Sequence, residues 1–329
     1  MGWGLRIAAW SLAAVTAGAG VALWGTLRLM APGPLEQTTT VVIPRGSGLQ
    51  AIALTLDEAG VVDSPLLFLY GAALSGGLKA GEYAFPAGVS IDGVLDILRQ
   101  GRTVVRRFTV PEGLTSAQVV ALLDREPALS GEVGAPPANG TLLPETYHFS
   151  HGDQRAALVE RMRGALEQTL AEAWKKRADG LPFDDPRQAL TLASIVEKET
   201  GVAAERARVA GVFLNRLEAG MKLQSDPTVI FALTDGAGEL GRALTRADWK
   251  VESPYNTYHV AGLPPGPIAN PGRASIEAVL HPERHDFLYF VADGTGGHVF
   301  AKTLAEHNRN VARWREVQRR QSGGEGTSD

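Results

Sequence analysis

The chain has no cysteine and no excess of positive charge. Without cysteine it has no disulfides, no thiol nucleophile and no thiolate ligands for a metal ion. Lysine and arginine number 32 against 36 aspartate and glutamate residues, which gives a formal net charge of −4. This balance, together with the lack of a long basic patch, argues against a general nucleic-acid-binding protein.

What is present is an ordinary globular composition over 329 residues, with 44% apolar and 21% charged residues. That length allows two domains, or one domain with additional modules. Strand-type and helix-type patterns both occur, which predicts an α+β fold class. The polar, glycine-rich end at 321–329 is predicted to be a disordered tail.

Residues 7–27, IAAWSLAAVTAGAGVALWGTL, carry no charge and are flanked by Arg6 and Arg28. Their length suits a helix that crosses a bilayer, and Trp10 and Trp24 stand near the ends, where interfacial anchors occur. The alternative is a cleaved signal peptide, whose apolar core is shorter and is followed by a small-x-small cleavage site. We therefore predict one transmembrane helix within residues 1–30, with the N-terminus on the inner side.

After a linker at 31–40, a strand-type run, a Pro-x-Gly turn and a helical pattern follow one another three times. The spacing of the three turns is irregular and does not indicate a solenoid; their prolines are Pro44, Pro86 and Pro111. Ser90 and Thr115 are the expected N-caps of the second and third helices. Residues 41–106 are predicted to form a small module that resembles LysM-type glycan-binding units. A plain spacer is an equally good interpretation.

Residues 107–320 are predicted to form a second, mainly helical domain with a small β element. Helical patterns dominate from 152 to about 235, and residues 236–275 are rich in glycine, proline and asparagine, as loops are. The strand-type runs FLYFVAD and HVFAK flank GTGG at 294–297, which indicates a hairpin turn. GTGG is not a phosphate-binding loop, because no strand-to-helix context follows it. A closing helix is expected over 303–320.

The segment DDPRQALTLASIVEKETG contains start and stop signals for one helix over 186–200. Asp185 is the expected N-cap and Pro186 the first helical residue, and Gln188 completes a capping box. Gly201 stands where a left-handed residue ends many helices.

Two glutamates lie near the end of this helix, and the helical period separates them. At about 100° per residue, Glu199 falls among the apolar side chains, whereas Glu197 falls at their margin, where a basic or backbone partner is expected. Thr191, Ser194 and Lys198 are expected to point the other way. Burial and the negative end of the helix dipole both raise the pKa of Glu199, as a general acid requires. The alternative is a buried structural glutamate paired with an arginine.

Other groups are weaker candidates for chemistry. Asp226 is the best candidate for a second carboxylate, but the proline that follows it favours an N-cap, and Asp293 suits a turn between strands. His281 and His285 have helical spacing, yet HPERH lacks the His-Glu-x-x-His order, so no metal site is predicted.

Four longer segments occur in order along the chain: LASIVEKETG, VFLNRLEAGMKLQSDPTVIFAL, SPYNTYHVAGLPPGPIANPG and LYFVADGTGGHVF. They resemble the signature segments of the MltG/YceG family of membrane-anchored endolytic murein transglycosylases, and the resemblance extends to about residue 315. One departure is NGTLLPETYHF, where Thr141, Leu142 and Leu143 replace the aromatic residues that the family carries before Pro-Glu-Thr-Tyr. The departure concerns local contacts in the groove.

The resemblance implies cleavage of the MurNAc–GlcNAc β-1,4 bond of peptidoglycan, with formation of 1,6-anhydro-MurNAc ends, by a lysozyme-like catalytic domain. It assigns the acid/base role to the second glutamate of Glu-Lys-Glu-Thr, which is Glu199 here. It implies no cofactor. It also implies a single-pass inner-membrane protein with a periplasmic catalytic domain, near the cell-wall synthesis machinery.

The polar and aromatic residues of the other segments are candidates for contacts with sugar or peptide. They are Tyr255, Asn256, Thr257, Tyr258, Gln224, Asn215, Asn270, His298 and Asn308. For each one, the alternative role is a hydrogen bond that braces a loop. Two alternative functions also stay open: a muramidase that uses water, and a non-catalytic, membrane-tethered scaffold that binds peptidoglycan.

Overall fold

The computed structural model describes residues 2–324, and the chain divides into two compact units. The first unit comprises residues 1–106 and His148–Asp153. The second comprises Arg107–Tyr147 and the residues from 154 onwards. Helices and small antiparallel sheets occur together, which confirms the mixed α and β composition.

The first unit contains helices around one two-stranded sheet. In chain order its elements are α1 (Gly2–Met30), β1 (Thr39–Ile43), α2 (Leu49–Glu58), α3 (Pro65–Ser75), β2 (Gly81–Phe85) and α4 (Ile91–Gln100). β1 and β2 are antiparallel, with Thr39 opposite Phe85. Their inward side chains and the apolar faces of α2, α3 and α4 form one core, in which Leu56, Phe68 and Tyr83 are fully buried.

The predicted elements of this unit are present, with one addition. Ser90 caps α4 by accepting a hydrogen bond from the Gly93 backbone N–H at 3.1 Å, as predicted. The sequence patterns did not reveal α3, although Ser64 caps it and Pro65 is its first residue. Apolar residues lie on the exposed face of α3 as well as on its buried face, as Leu66 and Leu74 show. The sequence of α3 therefore has little helical period.

At the N-terminus, α1 covers the uncharged run, so a helix is present where one was predicted. Within the part of the chain that the structure describes, no helix is sufficiently long and apolar to cross a membrane. The predicted transmembrane span is therefore not supported.

The rest of the chain is mainly helical. In chain order its elements are β3 (Arg106–Thr109), α5 (Ser116–Asp124), β4 (Thr146–Phe149), α6 (Arg155–Lys175), α7 (Pro186–Glu199), α8 (Arg206–Glu218), α9 (Asp226–Thr234), α10 (Arg273–Leu280), β5 (Tyr289–Ala292), β6 (His298–Ala301) and α11 (Leu304–Gly324). Short 3-10 turns lie at Ala203–Glu205 and Asp248–Lys250.

Most of the predicted elements of this part are confirmed. Thr115 caps α5 in a capping box with Gln118. β5 and β6 form the predicted hairpin, and the turn between them contains Gly294 and Gly296 at φ 90° and 97°. α11 extends to Gly324, so the predicted tail is helical at its start. Residues 325–329 lie outside the described residues.

α7 is the central helix of the second unit, and every residue from Ala189 to Val196 is buried. Thr191 and Ser194 were expected to point away from the core, but both are buried. The Ser194 hydroxyl donates to the Thr191 carbonyl at 2.7 Å and accepts from the Ile268 N–H at 3.0 Å. The loop that contains Ile268 therefore covers this second face, and Lys198 remains exposed.

The ends of α7 confirm some of the expected signals. Asp185 is the N-cap and accepts from the Arg187 N–H at 2.6 Å, but Gln188 accepts from the Asp184 N–H rather than from Asp185. The expected left-handed conformation of Gly201 is not found. Thr200 is instead the C-cap residue that follows the helix, and its backbone is extended at φ −139°. Its hydroxyl accepts from the Val202 N–H.

Candidate active site

Glu199 is the last residue of α7 and is half-buried. Its Oε1 accepts a hydrogen bond of 2.5 Å from the Ser225 hydroxyl. Ser225 is 1% exposed and immediately precedes α9. The C-terminal end of α7 and the N-terminal end of α9 therefore meet at this carboxyl.

The surroundings of Glu199 favour its protonated form. Burial raises the pKa of this carboxyl to about 7, and the negative charge of Asp226 acts in the same direction. The hydrogen bond from Ser225 and the electrostatic interactions with His298 and Arg216 act in the opposite direction. A carboxyl with a pKa near 7 can donate a proton at neutral pH and accept one later in the same reaction.

Glu197 has a different environment from Glu199. One of its carboxyl oxygens accepts from the Gly272 backbone N–H at 2.8 Å, and the other lies 3.9 Å from the Arg206 guanidinium. The expected basic and backbone partners are thus both found. The description of a buried glutamate paired with an arginine fits Glu197 rather than Glu199.

Asp226 is the first residue of α9, and Ser225 occupies the N-cap position. The predicted N-cap role of Asp226 is therefore wrong by one residue. Its Oδ1 accepts from the Trp249 indole N–H at 2.9 Å and from the Tyr258 hydroxyl at 2.7 Å. The Asp226 side chain is exposed, although Ser225 beside it is buried.

Two of the candidate aromatic residues are partly exposed beside these groups. The Tyr258 ring lies 6.0 Å from that of Trp249, centroid to centroid. Burial, and then the hydrogen bond to Asp226, raise the pKa of the Tyr258 hydroxyl. Tyr255 packs on Phe231 with 4.6 Å between the ring centroids.

Three other candidates have no exposed surface: Asn256, Thr257 and Asn270. The Asn256 amide donates to the carbonyls of Trp249 and Val251. The Thr257 hydroxyl accepts from the Ser225 N–H at 3.0 Å. These hydrogen bonds brace loops. The bond from the Ser225 N–H to Thr257 also fixes the position of Ser225, which binds Glu199.

The remaining candidates are dispersed. The Asn215 amide donates to the His285 and Phe287 carbonyls, so it too braces a loop. His298 lies 2.8 Å from the Glu205 carboxylate. Gln224 precedes Ser225 and has a left-handed backbone at φ 51°. Asn308 is exposed on α11.

Sequence patterns did not identify Ser225, Trp249 and Arg216 as parts of this site. Ser225 had a usable signal, because the Asp-Pro pair that follows it marks the start of a helix. Arg216 is buried on α8 and donates to the carbonyls of Leu288 and Leu223 at 2.6 and 2.7 Å. Its charge acts on Glu199 only in the folded chain.

The structure also shows where the residues of the altered loop before Pro-Glu-Thr-Tyr lie. Leu142 and Leu143 are fully buried, so these two side chains belong to the interior. Tyr147 donates to the Leu143 carbonyl at 2.7 Å, and burial raises the pKa of Tyr147 to about 12.

Fold and site define an enzyme-like centre around one half-buried carboxyl with a raised pKa. Comparison with known proteins gives the family. The model of the YceG-like family matches residues 41–313. A relative from Bacillus subtilis (strain 168), named endolytic murein transglycosylase, is 34% identical over 83% of this chain and 84% of its own length.

A second relative of that name, from Streptococcus pneumoniae serotype 2 (strain D39 / NCTC 7466), is 32% identical over 84% of this chain. The match spans 58% of that longer protein. A crystal structure of a yceG-like protein from Listeria monocytogenes covers 83% of this chain, with 32% identity and a TM-score of 0.53. The chain belongs to the YceG-like family, and these relatives named endolytic murein transglycosylase are lytic transglycosylases, which are lyases.

Proposed function

We propose that this chain is an endolytic peptidoglycan lytic transglycosylase that cleaves the MurNAc–GlcNAc β-1,4 bond of nascent strands and leaves 1,6-anhydro-MurNAc ends. The observation that carries the proposal is Glu199, a carboxyl whose pKa is raised to about 7 at the meeting of two helix ends. The names of the relatives support the same reaction class. Such an enzyme acts in the periplasm or outside the cell.

The proposed reaction needs one acid/base residue. Protonated Glu199 gives its proton to the glycosidic oxygen as the bond from that oxygen to C1 of MurNAc breaks. The resulting carboxylate then takes the proton of the MurNAc 6-hydroxyl, whose oxygen bonds to C1. Glu199 is restored, and no water is consumed. The N-acetyl group stabilises the cationic carbon between the two steps, whereas two-carboxylate glycosidases use a base or nucleophile there.

Glu199 has the contacts that these two steps require. In the first step, burial keeps the carboxyl protonated. In the second, the Ser225 hydroxyl stabilises the carboxylate through a hydrogen bond to Oε1. Cleavage within a nascent strand ends its elongation. The partners of the protein would therefore be the glycan strand and the synthesis machinery, with residues 41–106 as a LysM-like glycan-binding module or a spacer.

The test is a digest of purified peptidoglycan by the full-length protein and by its Glu199→Gln variant, with products read by mass spectrometry. We expect 1,6-anhydro-MurNAc ends from the parent and none from the variant. Glu218→Gln is the matched control, because Glu218 is an exposed glutamate at the end of α8. It should digest as the parent does.

Other products would favour the two alternatives. Reducing ends in place of anhydro ends would indicate a muramidase. Binding of glycan with no product from the parent, in the presence of synthesis-machinery proteins, would indicate a scaffold. Either result would contradict the proposal.

A further inference from the structure

Asp226 is a carboxylate beside Glu199 to which the proposed reaction gives no role. Ser225, which binds Glu199, is its immediate neighbour in the chain. Ser225 is buried, whereas the Asp226 side chain is exposed. The Asp226 carboxylate is therefore open to a ligand, and its neighbour in the chain is bonded to Glu199.

Two side chains from a separate loop fix the position of this carboxylate. Trp249 and Tyr258 both donate to Oδ1, at 2.9 and 2.7 Å. Both donors are neutral, and among the described residues Asp226 forms no ion pair. The negative charge is thus held in place without a counter-cation, and Oδ2 has its lone pairs available.

A fixed negative charge would assist the cleavage of a glycosidic bond. Cleavage of a glycosidic bond develops positive charge at C1 in an oxocarbenium-like transition state. A fixed negative charge near that carbon stabilises the transition state more than the neutral ground state. The reaction needs no second base, because Glu199 serves in both proton transfers.

We propose that Asp226 is the second functional carboxylate of this site, positioned by Trp249 and Tyr258 to stabilise the positive charge that develops at C1 of the bound amino sugar. This role rests on the proposed function, since it assumes that a glycosidic bond is broken beside Glu199. In this role Asp226 neither gives nor takes a proton.

The electrostatics of Glu199 support this placement. After burial, the groups that act on its carboxyl lie on α8, α9 and β6 and at the N-cap of α9. Asp226 on α9 raises its pKa, and the Ser225 hydroxyl, His298 on β6 and Arg216 on α8 lower it. Asp226 therefore also helps to keep the acid protonated before the first step.

The experiment compares the full-length parent with Asp226→Asn and with Asp235→Asn. Asparagine keeps an oxygen for Trp249 and Tyr258 but removes the charge. Asp235 is the control because it is an exposed aspartate at the other end of α9, in a left-handed conformation that asparagine also adopts.

We expect Asp226→Asn to lower kcat on the order of 10²-fold with little change in KM, while the product remains anhydro. Because the acid loses a negative neighbour, the fall in rate at alkaline pH should shift to lower pH. Asp235→Asn should match the parent in both respects. An unchanged rate and pH profile for Asp226→Asn would overturn the proposal. So would reducing ends from the parent that disappear in this variant, because Asp226 would then activate water.

A direct titration separates this proposal from the proposed function. Carbon-13 NMR follows the Glu199 carboxyl in the full-length parent and in Asp226→Asn, with Glu199→Gln to assign the signal. We expect Glu199 to titrate at lower pH in Asp226→Asn, whether or not the parent cleaves peptidoglycan. An identical titration in both proteins would refute the role of Asp226 and leave the role of Glu199 intact.

Discussion

Glu199 has opposite effects on activity and on stability. Its pKa is about 7 in the folded chain against an ordinary value of 4.5. Between these two values the folded state binds a proton that the unfolded state has lost. The free energy of unfolding therefore falls as pH rises through this window, and the stability that protonation provides is fully present only below about 4.5.

Replacement of Glu199 by glutamine removes this pH dependence, because glutamine resembles the protonated acid at every pH. We expect Glu199→Gln to unfold with a free energy roughly 2–3 kcal/mol higher than the parent near pH 8, and with nearly the same free energy near pH 4. Denaturant unfolding at both pH values measures the difference. A variant that is less stable than the parent at alkaline pH would show that burial does not strain this carboxyl.

At the scale of elements, buried amides tie loops to one another. Asn270 follows a proline-rich loop, and its side chain bonds to the Leu142 N–H and the Leu114 carbonyl at 3.1 and 3.0 Å. Because Asn270 has no exposed surface, we expect it to support the site without touching the sugar.

Truncation of this amide should therefore change stability rather than substrate binding. We expect Asn270→Ala to lower the free energy of unfolding by roughly 1–3 kcal/mol, because it leaves the buried Leu142 N–H unpaired. KM should stay at the parent value for the folded fraction. Gln168→Ala, at an exposed position of α6, is the control for both measurements. A raised KM with unchanged stability would make Asn270 a sugar contact.

Elements whose signals are local could be predicted from the sequence. The caps at Ser90, Thr115 and Asp185 were found because each cap bonds within a few residues. The burial of Glu199 follows from the helical period of its own helix. The bond of Glu199 to Ser225 joins residues that are 26 apart, and no local pattern encodes it. The same reason hid Trp249, which reaches Asp226 from a loop.

At the scale of the whole molecule, each unit has its own core. In the first unit, Arg106 makes two hydrogen bonds to the Glu82 carboxylate, at 2.7 and 2.6 Å. The Glu82 side chain is 5% exposed, and the hydrogen bond from Arg106 lowers its pKa. This lowered pKa contributes stability above the ordinary value of 4.5, and the contribution is lost as pH falls through the lower folded-state value.

Loss of this arginine should destabilise the protein, because it leaves a buried carboxylate without its partner. We expect Arg106→Met to cost about 3 kcal/mol at neutral pH, at the lower end of the usual range because the arginine is partly exposed. The cost should shrink in acid, where Glu82 becomes protonated. Thermal unfolding at neutral and acid pH measures it, with Arg99→Met as an exposed control on α4. Equal costs at both pH values would contradict this account.

In the proposed reaction Glu199 performs both proton transfers, and no water enters the product. The most direct measurement is digestion of peptidoglycan in oxygen-18-labelled water by the full-length protein, followed by mass spectrometry of the new ends. We expect anhydro ends without labelled oxygen from the parent, and no such ends from Glu199→Gln. Labelled oxygen at the new ends would show hydrolysis and contradict the single-residue mechanism.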